Sequence, residues 1–116
     1  MFIQLTILYP LKSSYKKLIK LLNNEKEDFV ASNKCIEYSI YKDTYSNKII
    51  NIIKWKSKDI MKDSIDDKEH ENRVKSILDL QKFPPEVYYL EEWNNDILQS
   101  LKIDDIWISI LLLISG

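Results

Sequence analysis

The sequence predicts one α+β domain whose elements run β-α-β-β-α-β. Three observations carry this reading. Four stretches alternate apolar and polar residues with the two-residue period of a strand: Phe2 to Leu8, Cys35 to Tyr41, Ile49 to Trp55 and Glu86 to Trp93. Two others, Tyr15 to Val30 and the run after Asp66, repeat apolar residues at helical spacing. The loop DTYSNK, Asp43 to Lys48, is short and polar, so the second and third strands form a hairpin. This order is the split βαβ of ferredoxin-like folds.

Each element has its own justification. In the first strand Ile3, Leu5 and Ile7 point one way and Gln4 and Thr6 the other, and Pro10 ends it because proline has no ladder amide. Ser13 or Ser14 caps the first helix, whose stripe is Tyr15, Leu18, Ile19, Leu22 and Phe29. Asn23 to Asp28 form its outer face or a frayed middle. Ser32-Asn33-Lys34 is a turn in which Asn33 can go left-handed. The third strand is rich in β-branched residues and runs into Trp55. Ser57 then offers a cap for a short helix near Lys58 to Asp63. The next helix carries Val74, Ile77 and Leu78 on its stripe, with His70 one turn earlier, and Pro84-Pro85 stops it.

The alternation sorts the sheet into two faces. Ile3, Leu5, Ile7, Ile36, Tyr38, Ile40, Ile50 and Ile52 are expected on the face that holds the helices. Gln4, Thr6, Glu37, Ser39, Tyr41, Asn51, Ile53 and Trp55 are expected on the other. That mixed face still carries large side chains, and a second copy of the sheet is its simplest cover.

Composition bounds the function. The chain has 116 residues, enough for one domain, and 45% are hydrophobic, enough for a core. A net charge of −1 argues against nucleic acid as the main partner, which needs a basic face. One cysteine excludes an internal disulfide and a cysteine metal cluster, and points to a reducing, cytoplasmic location. Met1 to Tyr9 is too short for a signal peptide, and no apolar run is long enough to span a bilayer. The one glycine is Gly116, so no glycine-rich phosphate loop exists.

Few residues offer chemistry. His70, the one histidine, is either a base facing a pocket or a helix residue at the core edge. Trp55 either stacks on a flat ligand or packs the strand–helix junction. Glu37, Ser39 and Asn51 share a sheet face that would look into a barrel; a carboxylate there could act as a base, or all three could be solvated or interface groups. Tyr38 and Tyr41 lie on opposite faces. Cys35 has no cationic neighbour in sequence and is not read as a nucleophile. Asp63, Asp66, Asp67 and Glu69 are a helix start, where acids suit the dipole, and not a metal site.

Three features resemble the dimeric α/β-barrel superfamily and, within it, the antibiotic biosynthesis monooxygenase domain family. They are the turn Asn33-Lys34-Cys35, the strand end Tyr41-Lys42-Asp43, and the junction Trp55-Lys56-Ser57-Lys58-Asp59. The resemblance covers residues 1–93 and leaves 94–116 as a C-terminal extension. It implies a sheet-to-sheet homodimer with a pocket between sheet and helices in each protomer. It implies cofactor-independent oxidation of an aromatic or quinol-type molecule by oxygen in some members, haem breakdown in others and no known activity in many; no cofactor and no metal are expected here. The pocket would be lined by Trp55, Tyr38, Phe29 and Ile77, with His70 as the base and Glu37 and Asn51 as polar partners.

The chain departs from the family in places. A histidine frequent soon after the Trp-x-Ser junction would fall near Ser64. Haem-degrading members carry an Asn on strand one and a Trp on the helix. Here stand Gln4, Thr6 and Met61 to Ile65, so haem degradation is disfavoured. The alternative to an enzyme is a dimeric barrel that binds a ligand or assembles without chemistry. In the extension, Asn94 to Lys102 reads as a short helix. Ile106 to Ile114 reads as a fifth strand, a helix across the barrel mouth, or an aggregation-prone end.

Overall fold

The structure is a computed structural model and describes residues 2–92. The extension and Trp93 lie outside the described residues. The expected order is present. Strands β1 (Phe2–Leu8), β2 (Cys35–Lys42), β3 (Ile49–Trp55) and β4 (Glu86–Glu91) alternate with helices α1 (Tyr15–Ala31), α2 (Lys58–Ile65) and α3 (Lys68–Leu78). A short 3₁₀ turn, Lys12–Ser14, leads into α1. The sheet order is β2-β3-β1-β4 and every neighbouring pair is antiparallel. This is the ferredoxin-like arrangement.

Local chemistry explains the boundaries. Asn33 takes φ 55°, the left-handed geometry the turn after α1 needs. The Ser57 hydroxyl accepts from the Ile60 amide at 3.1 Å and starts α2. Asp67 does the same for α3, accepting from the Glu69 amide at 3.3 Å. Ser14 sits at the start of α1 but makes no side-chain cap. The Asp43 amide donates to the Lys48 carbonyl at 3.0 Å and closes the hairpin. Past β1, the Leu11 amide reaches the Leu80 carbonyl and the Lys82 amide reaches the Tyr9 carbonyl, both at 2.8 Å. These bonds fasten the end of β1 to the end of α3.

The sheet faces differ from the sequence expectation. Register pairs Phe2 with Trp55, Gln4 with Ile53, Thr6 with Asn51 and Leu8 with Ile49, and directly opposed residues share a face. Thr6, Leu8, Ile49, Asn51, Ile53 and Trp55 are all buried. The helices therefore cover the mixed face of β1 and β3. Ile3, Leu5, Ile7, Ile50 and Ile52 lie on the opposite side, open among the described residues, and are only partly buried. In β2 a bulge between Cys35 and Glu37 breaks the alternation. It places Cys35 and Tyr38 together under the helices and leaves Ile36 61% exposed. Glu37, Ser39 and Tyr41 stay on the open side.

The reason for the inversion is visible in the core, which has two apolar clusters. One joins Phe29, Cys35, Tyr38, Ile53, Trp55 and Met61. The other joins Leu8, Leu18, Leu22, Ile49 and Leu80. Each fully buried leucine or isoleucine contributes about 1.5–3 kcal/mol. The Thr6–Asn51 pair lies between the clusters along the strands. The helix face is mixed because polar groups interrupt its core.

Candidate functional site

A cavity of about 190 Å³ opens at that interruption. Its sheet wall is Gln4, Thr6, Asn51, Val87 and Tyr89, on three adjacent strands. Its α1 wall is Leu22 and Glu25, and its α3 wall is His70, Val74, Ile77 and Leu78. Four described residues are buried and polar: Thr6, Glu25, Asn51 and Ser64. Three of the four line this one cavity. Buried polar groups cost stability unless bonded, so their convergence on an apolar cavity is the mark of a site.

Each polar group has a definite position. Asn51 donates to the Ser39 carbonyl at 3.1 Å, which holds its amide on β3. Gln4 accepts from the Trp55 indole at 3.1 Å. Glu25 is 6% exposed and accepts from the Tyr38 hydroxyl at 2.8 Å. Burial first, then the Glu25 charge, push the Tyr38 hydroxyl well above its ordinary range, with Arg73 and Asn51 opposing. Tyr38 is therefore a neutral donor at physiological pH. His70 lines the cavity, and its Nδ1 is buried with no hydrogen-bond partner among the described residues.

His70 also borders a second, polar cleft of about 220 Å³ that includes Asp28, Asp67, Glu69 and Arg73. Arg73 bonds Asp28 and Glu69, and its guanidinium lies 5.9 Å from the Phe29 ring centre. These contacts tie α3 to α1. They matter because α3 has no fully buried residue of its own.

The structure brings His70, Asn51 and Ile77 together at the cavity. It does not bring the other expected residues there. Trp55, Tyr38 and Phe29 are packed into one aromatic group, with Phe29 5.2 Å from Trp55 and 5.8 Å from Tyr38 between ring centres. Trp55 is 1% exposed, so it packs the strand–helix junction instead of facing a ligand. Its indole donates to Gln4, which lines the cavity. Glu37 lies on the open face, paired with Lys54 at 3.0 Å. That pairing, with Ser39, lowers its carboxyl below the ordinary range. It does not line the cavity. Ser64, where the resemblance calls for a histidine, is buried and donates to the Ile60 carbonyl at 2.8 Å.

Glu25 is the residue sequence reasoning missed. The sequence places it on the outer face of α1 or in a frayed middle. Yet Leu18, Leu22, Glu25 and Phe29 are the buried residues of that helix, spaced four, three and four apart. A carboxylate in phase with an apolar stripe was the available signal.

The cavity and fold define a class: a ferredoxin-like domain with a small apolar site between sheet and helices. No protein-family model matches the chain, and no curated protein does. Solved structures do match. The chain is similar to Rv0793 from Mycobacterium tuberculosis, with a TM-score of 0.73 and 15% identity over 80% of this chain and 95% of that one. It is similar to an antibiotic biosynthesis monooxygenase, with a TM-score of 0.72 and 13% identity over 81% of this chain and all of that one. It is also similar to the monooxygenase ActVA-Orf6 of Streptomyces coelicolor, solved with nanaomycin D. That match has a TM-score of 0.68 and 12% identity, over 80% of this chain and 88% of that one. The fold is that of the antibiotic biosynthesis monooxygenase domain. At these identities the likeness speaks for the fold, and the site must speak for the chemistry.

Proposed function

We propose that the chain is a cofactor-independent monooxygenase acting on a small phenol or quinol-type aromatic. The observation that carries this reading is the convergence of Thr6, Glu25, Asn51 and His70 on one apolar cavity. A filled core would have favoured a module without chemistry. The monooxygenase names among the structural neighbours support the same reading.

The chemistry needs little from the protein. His70 takes the hydroxyl proton of a bound phenol, and the imidazolium balances the phenolate. The phenolate carries carbanion character at its para carbon. It gives one electron to oxygen, and the resulting pair joins at that carbon as a hydroperoxide. Loss of water leaves the para-quinone. With 1-naphthol the balance is one naphthol plus one oxygen molecule giving one 1,4-naphthoquinone plus one water. The apolar walls position the ring and exclude water.

A ligand-binding module without turnover is the second reading, favoured by Ser64 in place of a titratable group. Oxygen uptake on 1-naphthol, with the product identified by mass, separates the two. Enzyme-dependent formation of naphthoquinone supports the first; binding without oxygen uptake supports the second.

We also propose that a second copy of the chain covers the open sheet face. That face carries Ile3, Leu5, Ile7, Ile50 and Ile52, flanked by the half-exposed Tyr41, Tyr88 and Leu90. An apolar sheet face of this extent needs a partner, and a two-fold pair of sheets supplies one.

A further inference from the structure

The cavity has a charge character that the proposed reaction does not itself require. No lysine or arginine lines it among the described residues. Glu25 is the one acidic side chain in its wall among the described residues. Glu25 is buried, and its one described partner is the neutral Tyr38 hydroxyl. It takes part in no ion pair among the described residues. Arg73 is engaged by Asp28 and Glu69. In surroundings of low polarity a carboxyl group with no ion-pair partner among the described residues disfavours a second acidic group beside it. We infer that Glu25 is a specificity residue that restricts the cavity to neutral ligands and rejects carboxylate- or phosphate-bearing ones.

Size narrows the class further. An apolar cavity of about 150 Å³ takes benzene. At about 190 Å³ this one takes a one-ring compound or a compact two-ring one. The ligand class is thus an uncharged, compact phenol. The inference deepens the monooxygenase reading and rests on it for the location of the ligand. The rejection of anions is a separate claim with its own test.

Binding in oxygen-free buffer tests it by calorimetry, with 1-naphthol and 5-hydroxy-1-naphthoate as probes. Wild type is expected to bind the naphthol at least tenfold more tightly. In Glu25→Gln the affinity for the naphthoate relative to the naphthol is expected to rise at least tenfold. The steric demand of the carboxylate is the same in both proteins, so this change reports charge. Equal affinity of wild type for the two probes overturns the inference. So does an unchanged ratio of the two affinities in Glu25→Gln. Failure of 1-naphthol itself to bind wild type removes the aromatic-site reading and this inference with it.

Discussion

Two side chains decide how the cavity is built, and only one of them was legible in the sequence. Asn51 stood out as the one interruption in the isoleucine-rich third strand, and it does reach the cavity. Glu25 did not stand out, because the acids and lysines around it read as a solvated face. The Tyr38–Glu25 bond shows the cost of that burial. Tyr38→Phe removes the donor and leaves a buried carboxylate less well satisfied. It is expected to destabilise the protein by about 1–3 kcal/mol, measured by urea denaturation. A change under about 0.5 kcal/mol would mean the cavity solvates Glu25 without Tyr38. His70 was legible as the only imidazole, though its position in a cavity wall was not. His70→Gln should lower oxygen uptake by about 100-fold or more while leaving naphthol affinity within about threefold. Equal loss of both would make His70 a packing residue.

The elements were read more securely than their faces. Alternation located all four strands, and Ser57 and Asn33 took the roles their chemistry allows. Alternation alone could not say which face of a strand meets the helices. In β1 the apolar set Ile3, Leu5 and Ile7 was the obvious core, yet it faces outward. In β2 the bulge at Ile36 shifts the phase, which no two-residue pattern reveals. Helix α3 carries a prediction of its own. It roofs the cavity without burying a residue, and Arg73 ties it to Asp28 and to the Phe29 ring. Arg73→Ala removes an exposed ion pair and a cation–π contact, together worth about 1 kcal/mol. Amide exchange in α3 should then quicken about fivefold, with little change in β1 and β3. Uniform quickening across the sheet would show that α3 is not a separately held element.

At the scale of the whole molecule, the open face and the charge balance make the predictions. Glu37, Asp43 and Glu86 are more acidic folded than unfolded, through bonds from Lys54, Ser46 and Tyr9 respectively. Their stabilisation is present above the ordinary carboxylate range and is lost as the pH falls through it. Tyr9, Tyr38 and Tyr88 are less acidic folded than unfolded. Their stabilisation is present below about pH 10 and is lost above it. Thermal melting should therefore show a plateau between about pH 5 and pH 9.5, with losses on both sides. A midpoint that rises from pH 5 down to pH 3 would contradict this. The proposed dimer gives a second global test. Leu5 lies on the open face at the centre of the sheet, opposite Ile52 on one side and Tyr88 on the other. Leu5→Lys should turn a dimeric solution mass into a monomeric one without unfolding the domain. A monomeric wild type would remove the sheet-to-sheet assembly.

The central claim is that the cavity between sheet and helices is where a small aromatic binds. Amide and side-chain shift mapping with 1-naphthol tests it most directly. The largest changes are expected at Thr6, Glu25, Asn51, His70 and Ile77, which share that cavity and come from four separate elements. Changes confined to Ile3, Leu5 and Ile52 on the open face, or none at all, would contradict it.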